Sequence, residues 1–356
     1  MIPYLTDLTP DEIAQILELK PFQGKQIFRW LHHKRVFDFD AMTDLSKELR
    51  QYLRVAYGYE EDTRASAAQL RLTHLDESPK SGARKALFRL RDGESVESVF
   101  LTERERVTLC LSSQVGCAFK CSFCATGQSG FRRNLSAGEI VEQALHLLSG
   151  QSLGDRTPNI VYMGMGEPFR NYDAVMKSIR LLMHPDGLHI GARKITVSTV
   201  GDVPGIRRFA REAWQVRLAV SLHAASDKLR SRLVPLNRTY PIAAIMEAVR
   251  EYANVTGRQM SFEWTLLDGI NDSPEQASEL AGLIGDLDVV VNLIPYNPVP
   301  GLPYEPSPKW QCETFRDALT QLGVKATLRH ERGQDIDAAC GQLRLRRHAH
   351  GEQAAD

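Results

Sequence analysis

Six apolar stretches alternate with amphipathic helical stretches from residue 108 onward, and this repetition constrains the fold more than any other feature. Strands that alternate with helices pair side by side in a parallel sheet, because each helix carries the chain back across one face. The repeats alone equally allow a flat, doubly wound sheet and a partial (βα)6 barrel; the closed barrel would have eight. The expected strands are Thr108–Ser113, Asn159–Gly164, Lys194–Thr199, Val216–Leu222, Met260–Leu267 and Val289–Pro295.

Three of the six cysteines lie within eight residues, as Cys117, Cys121 and Cys124. Three thiolates can hold a [4Fe–4S] cube and leave one iron free to chelate the amino and carboxylate groups of a small molecule. The C-x3-C-x2-C spacing is the one common to radical S-adenosylmethionine (SAM) enzymes, and here the chain resembles that superfamily.

Two other sites are compatible with clustered cysteines. A structural zinc site needs a fourth Cys or His nearby, and none follows within the next twenty residues; His146 lies on an expected helix. A closed electron-carrier cluster could instead use Cys110, seven residues before Cys117. We favour the open cluster, because the spacing and the surrounding residues agree.

Composition sets broad limits on function. No apolar run has membrane-spanning length, and the N-terminus lacks an export signal, so we expect a cytoplasmic protein. In that compartment, clustered cysteines indicate metal or redox chemistry rather than structural disulfides. Lys+Arg and Asp+Glu balance at 44 each. Any RNA contact must therefore come from local patches, and its binding would weaken with salt.

The regions on either side of the repeats differ in character. Near the N-terminus, Thr9 starts a capping box, and a second helix is expected from about Gly24 to His33. Lys25 and Arg29 lie one turn apart on that helix, and composition alone favours a solvated face over an RNA-contacting patch. Extended segments follow, around an expected turn at Asp92-Gly93.

Single residues in two other segments carry chemical interest. Glu97 in the extended region is, by pattern alone, an ordinary strand carboxylate. Cys340 lies in a loop of small residues; a buried structural cysteine is the default interpretation, but the flanking glycine favours an accessible thiol. Cys110 ends the first expected strand and could approach Cys340. The polar tail from about Arg344 could contact RNA or have no role.

Polar residues also follow the expected strands, at the edge where ligands gather in parallel α/β folds. Each alone is more often a turn or a satisfied polar group. Together they suit a SAM pocket, with a carboxylate for the amine, hydroxyls for the ribose and an amide for polar edges. They are Glu167, Ser198, Ser221, His223 and Asn297, and Gly166 before Glu167 allows a ligand to approach the backbone.

Over nearly its whole length the chain resembles the RlmN/Cfr family of radical SAM RNA adenine methyltransferases. The segment around Cys340 is the most discriminating, because other radical SAM enzymes do not pair the cluster with such a cysteine. The matching segments are Lys25–Trp30, Ser112–Cys117, Met163–Pro168, Leu218–Ala224, Leu293–Pro298 and Asp337–Leu343.

The resemblance implies a fold, a division of the chain and a set of partners. The fold would be α/β, a partial (βα)6 radical SAM barrel with a small N-terminal helical domain. The partners would be RNA (23S rRNA, with tRNA a further candidate) and a flavodoxin- or ferredoxin-type reductant, and the protein would be a monomer. The expected parts are an RNA-binding helical domain at 1–65, an extended β linker at 66–102, the radical SAM core at 103–335 and the catalytic-cysteine loop with the tail at 336–356.

The resemblance also implies a role for each site residue. Adenine C2 is electron-poor and cannot attack a sulfonium methyl, whereas a thiolate can accept one. Cys340 would carry the methyl, Cys110 would release the product by forming a disulfide, and Glu97 would accept a proton. Cys117, Cys121 and Cys124 would hold the cluster, and SAM would contact Gly166, Glu167, Ser198, Ser221, Leu222, His223 and Asn297.

Two alternatives remain at this point. A C8-adenine methyltransferase would use the same groups, and a non-catalytic iron–sulfur electron carrier or RNA-binding protein would ligate its cluster with Cys110. The chain also departs from the family's usual residues at Phe169-Arg170, Val200–Asp202 and Ala225-Ser226, beside the expected pocket. These departures leave the RNA target more open than the chemistry.

Overall fold

The computed structural model describes residues 3–58, 66–103, 106–151, 156–329, 333–339 and 341–343. Cys340 and the polar tail from residue 344 lie outside the described residues. Within the described part, the strands are β1 Leu70–Glu77, β2 Arg84–Leu90, β3 Ser95–Glu103, β4 Arg106–Cys110, β5 Gln114–Gly116, β6 Phe131–Asn134, β7 Asn159–Tyr162, β8 Ile195–Thr199, β9 Arg217–Ser221, β10 Met260–Leu266, β11 Val289–Pro295 and β12 Lys325–Leu328.

The first three α-helices precede β1, and the others lie between later strands in the chain. They are α1 Pro10–Ile16, α2 Pro21–Phe28, α3 Lys47–Tyr57, α4 Ala125–Ser129, α5 Ala137–Leu148, α6 Tyr172–Met183, α7 Val203–Phe209, α8 Asp227–Leu233, α9 Ile242–Thr256, α10 Pro274–Ile284 and α11 Lys309–Gln321. None of the described helices is long and apolar enough to cross a membrane.

The main sheet joins an antiparallel part to a parallel part. Its strand order is β1-β2-β3-β4-β7-β8-β9-β10-β11-β12, and β5 pairs with β6 in a separate hairpin. In the main sheet, all neighbouring strands from β4 to β12 are parallel, so the six expected strands are confirmed. The first expected strand, which is β4, ends at Cys110, three residues earlier than expected. Sequence reasoning missed β12, a four-residue strand without a long apolar run.

The sheet is curved rather than flat. Val99 on β3 and Cys110 on β4 line the same cavity as Asn292 on β11 and Thr327 on β12, although several strands separate the two pairs in the sheet order. Only a sheet whose two ends bend toward each other can place these side chains around one space. The architecture is therefore the expected partial barrel, with an antiparallel extension in place of its missing strands.

The antiparallel extension follows the turn predicted at Asp92-Gly93, which joins β2 to β3 with Gly93 at φ +85°. The N-terminal unit packs on α5, where the Thr6 hydroxyl donates to Glu142. Helix α2 begins at Pro21, earlier than expected, because proline suits the first helical turn.

The basic N-terminal segment is partly engaged within the protein. Lys25 pairs with Asp186 at 3.0 Å, and the Arg35 guanidinium donates to the Leu148 carbonyl. The buried His32 ring stacks on Phe28. Several polar side chains of this segment therefore have partners within the protein.

Candidate active site

The cysteine loop is held between the β5–β6 hairpin and α4. Gly116 has φ +75°, and the Cys117 amide donates to the Gly130 carbonyl at 3.0 Å. A Cβ on Gly116 would lie 1.8 Å from that same carbonyl oxygen, so only glycine fits where the loop leaves β5. The loop then turns through Cys121 to Cys124, whose successor begins α4.

The three cysteines surround one small cavity next to the carboxyl ends of the strands. Burial raises the pKa of Cys117 to about 12, and it raises the pKa values of Cys121 and Cys124 as well. Free thiols are therefore protonated at neutral pH, and binding iron as thiolates requires proton loss.

The donor set fits an iron–sulfur cluster. Cys117, Cys121 and Cys124 supply three soft sulfur ligands. Within the described part of the chain, no three Cys, His, Asp or Glu side chains are placed to hold one metal ion. This geometry suits a cube, in which each thiolate binds a different iron, better than a mononuclear zinc site.

Glu167 lies beside the cysteines, directly after the glycine turn that follows β7. Its carboxylate accepts hydrogen bonds from the amides of Val200 at 2.9 Å and Phe169 at 3.2 Å. Burial raises the pKa of Glu167 to about 7 against these bonds. Gly166, at φ +103°, packs on Gln114, so its backbone borders the cavity closely. A carboxylate held this way can receive an ammonium group.

The next strands add hydroxyl and imidazole groups to the same cavity. The hydroxyls of Ser198 and Ser221 lie 3.5 Å apart. Burial lowers the pKa of His223 to about 3, and its Nδ1 accepts from the Thr265 amide at 3.0 Å. The ring is therefore neutral, with its proton on Nε2. The Leu222 side chain points into the core, and its contact with a cofactor stays a prediction.

A second, larger cavity of about 960 Å³ occupies the barrel interior. Cys110 and Asn297 line it, and Val99 is the register partner of Cys110. Glu97, two residues before Val99 on the same strand face, is only 4% exposed, and its Oε1 lies 3.9 Å from Lys85 Nζ. The structure therefore places Cys110 in this cavity rather than among the three clustered cysteines.

The two cavities adjoin each other. Met163, Ile294 and Gly341 border both. The Ala125 amide, next to Cys124, donates to the Gly341 carbonyl at 2.8 Å, and the Thr126 hydroxyl donates to the Leu343 carbonyl at 2.6 Å. The C-terminal segment is thus fastened directly to the cysteine loop.

The neighbours of Cys340 border the space that Cys110 borders. Ala338, Ala339 and Gly341 all line the larger cavity. Cys340 itself lies outside the described residues, so its pairing with Cys110 stays a prediction. The described part of the chain contains no disulfide.

Sequence reasoning missed two buried charged residues at the rim. Arg230 is fully buried and donates to the carbonyls of Leu222, Val200 and Ser221, which fixes the ends of two strands. Glu263 borders the cysteine cavity, 2% exposed, and its Oε1 accepts from Ser261 and Asn292. The sequence signal for Glu263 is its position, because a glutamate is unusual within an apolar run such as β10.

Comparison with known proteins identifies the family. Residues 111–281 match the model of the radical SAM superfamily, and residues 5–57 match that of the ribosomal RNA large subunit methyltransferase N-terminal domain. A Geobacillus kaustophilus protein named probable dual-specificity RNA methyltransferase RlmN is 44% identical over 349 residues, which covers 97% of this chain and 93% of the relative.

Two further relatives agree over similar lengths. A protein of the same name from Moorella thermoacetica is 45% identical, covering 96% of this chain and 97% of its own. The crystal structure of a radical SAM methyltransferase from Sphaerobacter thermophilus matches with a TM-score of 0.88 and 45% identity, covering 96% of this chain and 98% of that one. The chain belongs to the RlmN family of radical SAM RNA methyltransferases.

Proposed function

We propose that this enzyme methylates C2 of adenosine in 23S rRNA, and also in tRNA, through a methyl-cysteine at Cys340. The observation that carries the proposal is the shared cavity. Residues on both sides of Cys340 line it together with Cys110, and it adjoins the cavity of the three clustered cysteines. A cavity of about 960 Å³ also has the size of a small-molecule or nucleoside site.

Cys117, Cys121 and Cys124 would hold the [4Fe–4S] cluster, and the rim residues from Gly166 to His223 would hold SAM. When bound, these cofactors supply the methyl group and the radical that activates it. Glu167 would receive the amino group of SAM, and the hydroxyls of Ser198 and Ser221 face the same cavity as ribose partners. Asn297 borders the larger cavity, and its Oδ1 accepts from Gln334 at 2.8 Å.

The chain's own residues would complete the transfer. Cys340, as a thiolate, takes the methyl group and becomes a thioether. Once its carbon is joined to adenine C2, the adduct must lose one electron, for which the cluster would be the acceptor, and Glu97 would accept the proton that C2 loses. Glu97 Oε1 lies 3.9 Å from Lys85 Nζ. The Cys110 thiolate then attacks the Cys340 sulfur. The sulfur–carbon bond breaks, its electron pair leaves with the nucleotide and gains a proton, and a disulfide remains for a dithiol to reduce.

Replacing the two cysteines tests this scheme. We expect Cys340→Ala to abolish methylation, and Cys110→Ala to accumulate protein covalently joined to RNA, because the release step is missing. Mass spectrometry of digested 23S rRNA and tRNA should place the new methyl on C2 of adenine. Cys312→Ala is the matched control, since Cys312 is buried on α11 and its thiol donates to the Ser307 carbonyl.

Three outcomes would contradict the proposal. Full turnover by the Cys340→Ala variant would exclude the methyl-cysteine route, and a methyl group at C8 would favour the alternative regiochemistry. Loss of iron in Cys110→Ala would support a closed four-cysteine cluster, although Cys110 borders the larger cavity instead. We infer further that a flavodoxin- or ferredoxin-type protein supplies the electron and that the enzyme acts as a monomer.

A further inference from the structure

Two arginines face each other across the outer hairpin of the sheet, and no carboxylate in the described part of the chain pairs with either. Arg71 on β1 and Arg89 on β2 are directly opposite in register. Both side chains are exposed, and neither forms an ion pair with a carboxylate among the described residues. Like charges directly opposite on neighbouring strands are destabilising. An uncompensated pair in a chain of zero net charge therefore needs a reason.

The pair lies on the sheet face that leads to the active site. Phe88 and Leu90 are buried in the core, so Arg89 points to the opposite face. Arg89 pairs with Ser95 on β3, so the two side chains lie on the same face of the sheet. Glu97, two residues after Ser95, lies on that face as well. Val99, two residues further, pairs with Cys110. The arginines are thus on the same face as the proposed proton acceptor and the resolving cysteine.

A bulge in β1 keeps this face continuous. The register shifts between Leu72 and His74, so that Arg71 and His74 both lie on the face of Arg89 and Leu87. Further along, Lys85 is engaged by Asp76 at 3.8 Å and Glu97 at 3.9 Å. On this face of the hairpin, the positive charges without an ion pair among the described residues are therefore the two arginines.

We propose that Arg71 and Arg89 bind the phosphate backbone of the RNA beside the target nucleotide. This inference rests on the proposed function, since it takes RNA to be the substrate. The planar guanidinium fork matches phosphate oxygens in a bidentate manner. The face is continuous with the cavity that would receive the adenine, so a strand whose base enters that cavity can pass over the hairpin. Phosphate contact also offsets the repulsion between the arginines.

The test is the salt dependence of RNA binding by the cluster-loaded enzyme. The affinity for unmodified, in vitro transcribed 23S rRNA is measured at several salt concentrations for wild type and Arg71→Gln/Arg89→Gln. The slope of log K against log[salt] is negative, and losing two phosphate contacts should reduce its magnitude by about 1.4 to 1.8. Arg89→Gln alone should remove about half of that.

The matched control is Arg193→Gln/Arg211→Gln. These two arginines are also exposed, and they precede β8 and β9 at the opposite end of the barrel. The control should keep the wild-type slope. Both double variants should keep the affinity for S-adenosylhomocysteine and the thermal midpoint, because none of the four residues borders the two cavities.

Each other outcome overturns the inference. A wild-type slope in Arg71→Gln/Arg89→Gln would show that the pair binds no phosphate. An unchanged RNA slope with slower reduction by flavodoxin would assign the face to a protein partner. If wild type itself binds neither 23S rRNA nor tRNA, the proposed function fails first, and the two failures are thereby distinguished.

Discussion

At the scale of single residues, Glu167 is expected to be the main anchor for the cofactor's amine. A carboxylate can accept from both the Val200 and Phe169 amides and still present charge, whereas an amide side chain cannot. We predict that Glu167→Gln weakens binding of S-adenosylhomocysteine at least tenfold, as a lost charged hydrogen bond costs about 1.5–3 kcal/mol. Calorimetric titration of the cluster-loaded protein measures this. The exposed Glu247→Gln is the control. Equal affinity for S-adenosylhomocysteine in both variants would show that Glu167 does not bind the amine.

The same scale shows what the sequence can and cannot reveal. Glu167 and Ser221 were predictable because they follow apolar strands whose carboxyl ends meet at one rim. Arg230 was not, because a charged residue on an amphipathic helix normally faces solvent. Its burial depends on strand-end carbonyls that only the folded chain brings together.

At the scale of elements, the β5–β6 hairpin sets the position of the cysteine loop through two glycines with positive φ. Gly116 and Gly130 have φ +75° and +73°, but a Cβ would clash only at Gly116, while Gly130 has open space. Gly130→Ala should cost only the backbone strain of its conformation (φ +73°, ψ 176°), which is almost exclusive to glycine, about 1–3 kcal/mol. Gly116→Ala must also displace the carbonyl that anchors Cys117, so we predict loss of most bound iron. Iron and sulfide analysis compares them, and equal iron content would contradict the argument.

Elements also show where prediction from sequence stops. The short apolar runs between helical stretches predicted the six parallel strands, because a strand buried on both faces has a local sequence pattern. They did not predict the curvature, because both a flat and a rolled sheet bury the same residues. The contact of Thr126 with Leu343 spans 217 positions, and no local pattern encodes it.

At the scale of the whole molecule, Glu142 on α5 fastens the N-terminal unit and the antiparallel extension to the barrel. It is fully buried, and its carboxyl group accepts from the Thr6 hydroxyl at 2.6 Å and from the Gln69 and Leu70 amides at 2.7 and 2.9 Å. Burial raises its pKa to about 8 against these bonds. The neighbouring His146 Nε2 lies 3.9 Å away, but burial lowers its pKa to about 4, so it brings no charge at neutral pH.

This environment predicts how stability depends on pH. The ordinary pKa of a glutamate is 4.5 and that of folded Glu142 is about 8, so the folded state binds the extra proton between these values. The contribution of Glu142 is therefore fully present below pH 4.5 and is lost as pH rises through 8. We predict that the free energy of unfolding falls more steeply from pH 5.5 to 8.5 in wild type than in Glu142→Gln. Urea unfolding of the metal-free protein measures both slopes, with the exposed Glu279→Gln as control. Parallel curves would mean that the three donors keep Glu142 ionised throughout, and the connection between the N-terminal unit and the barrel would then be insensitive to pH.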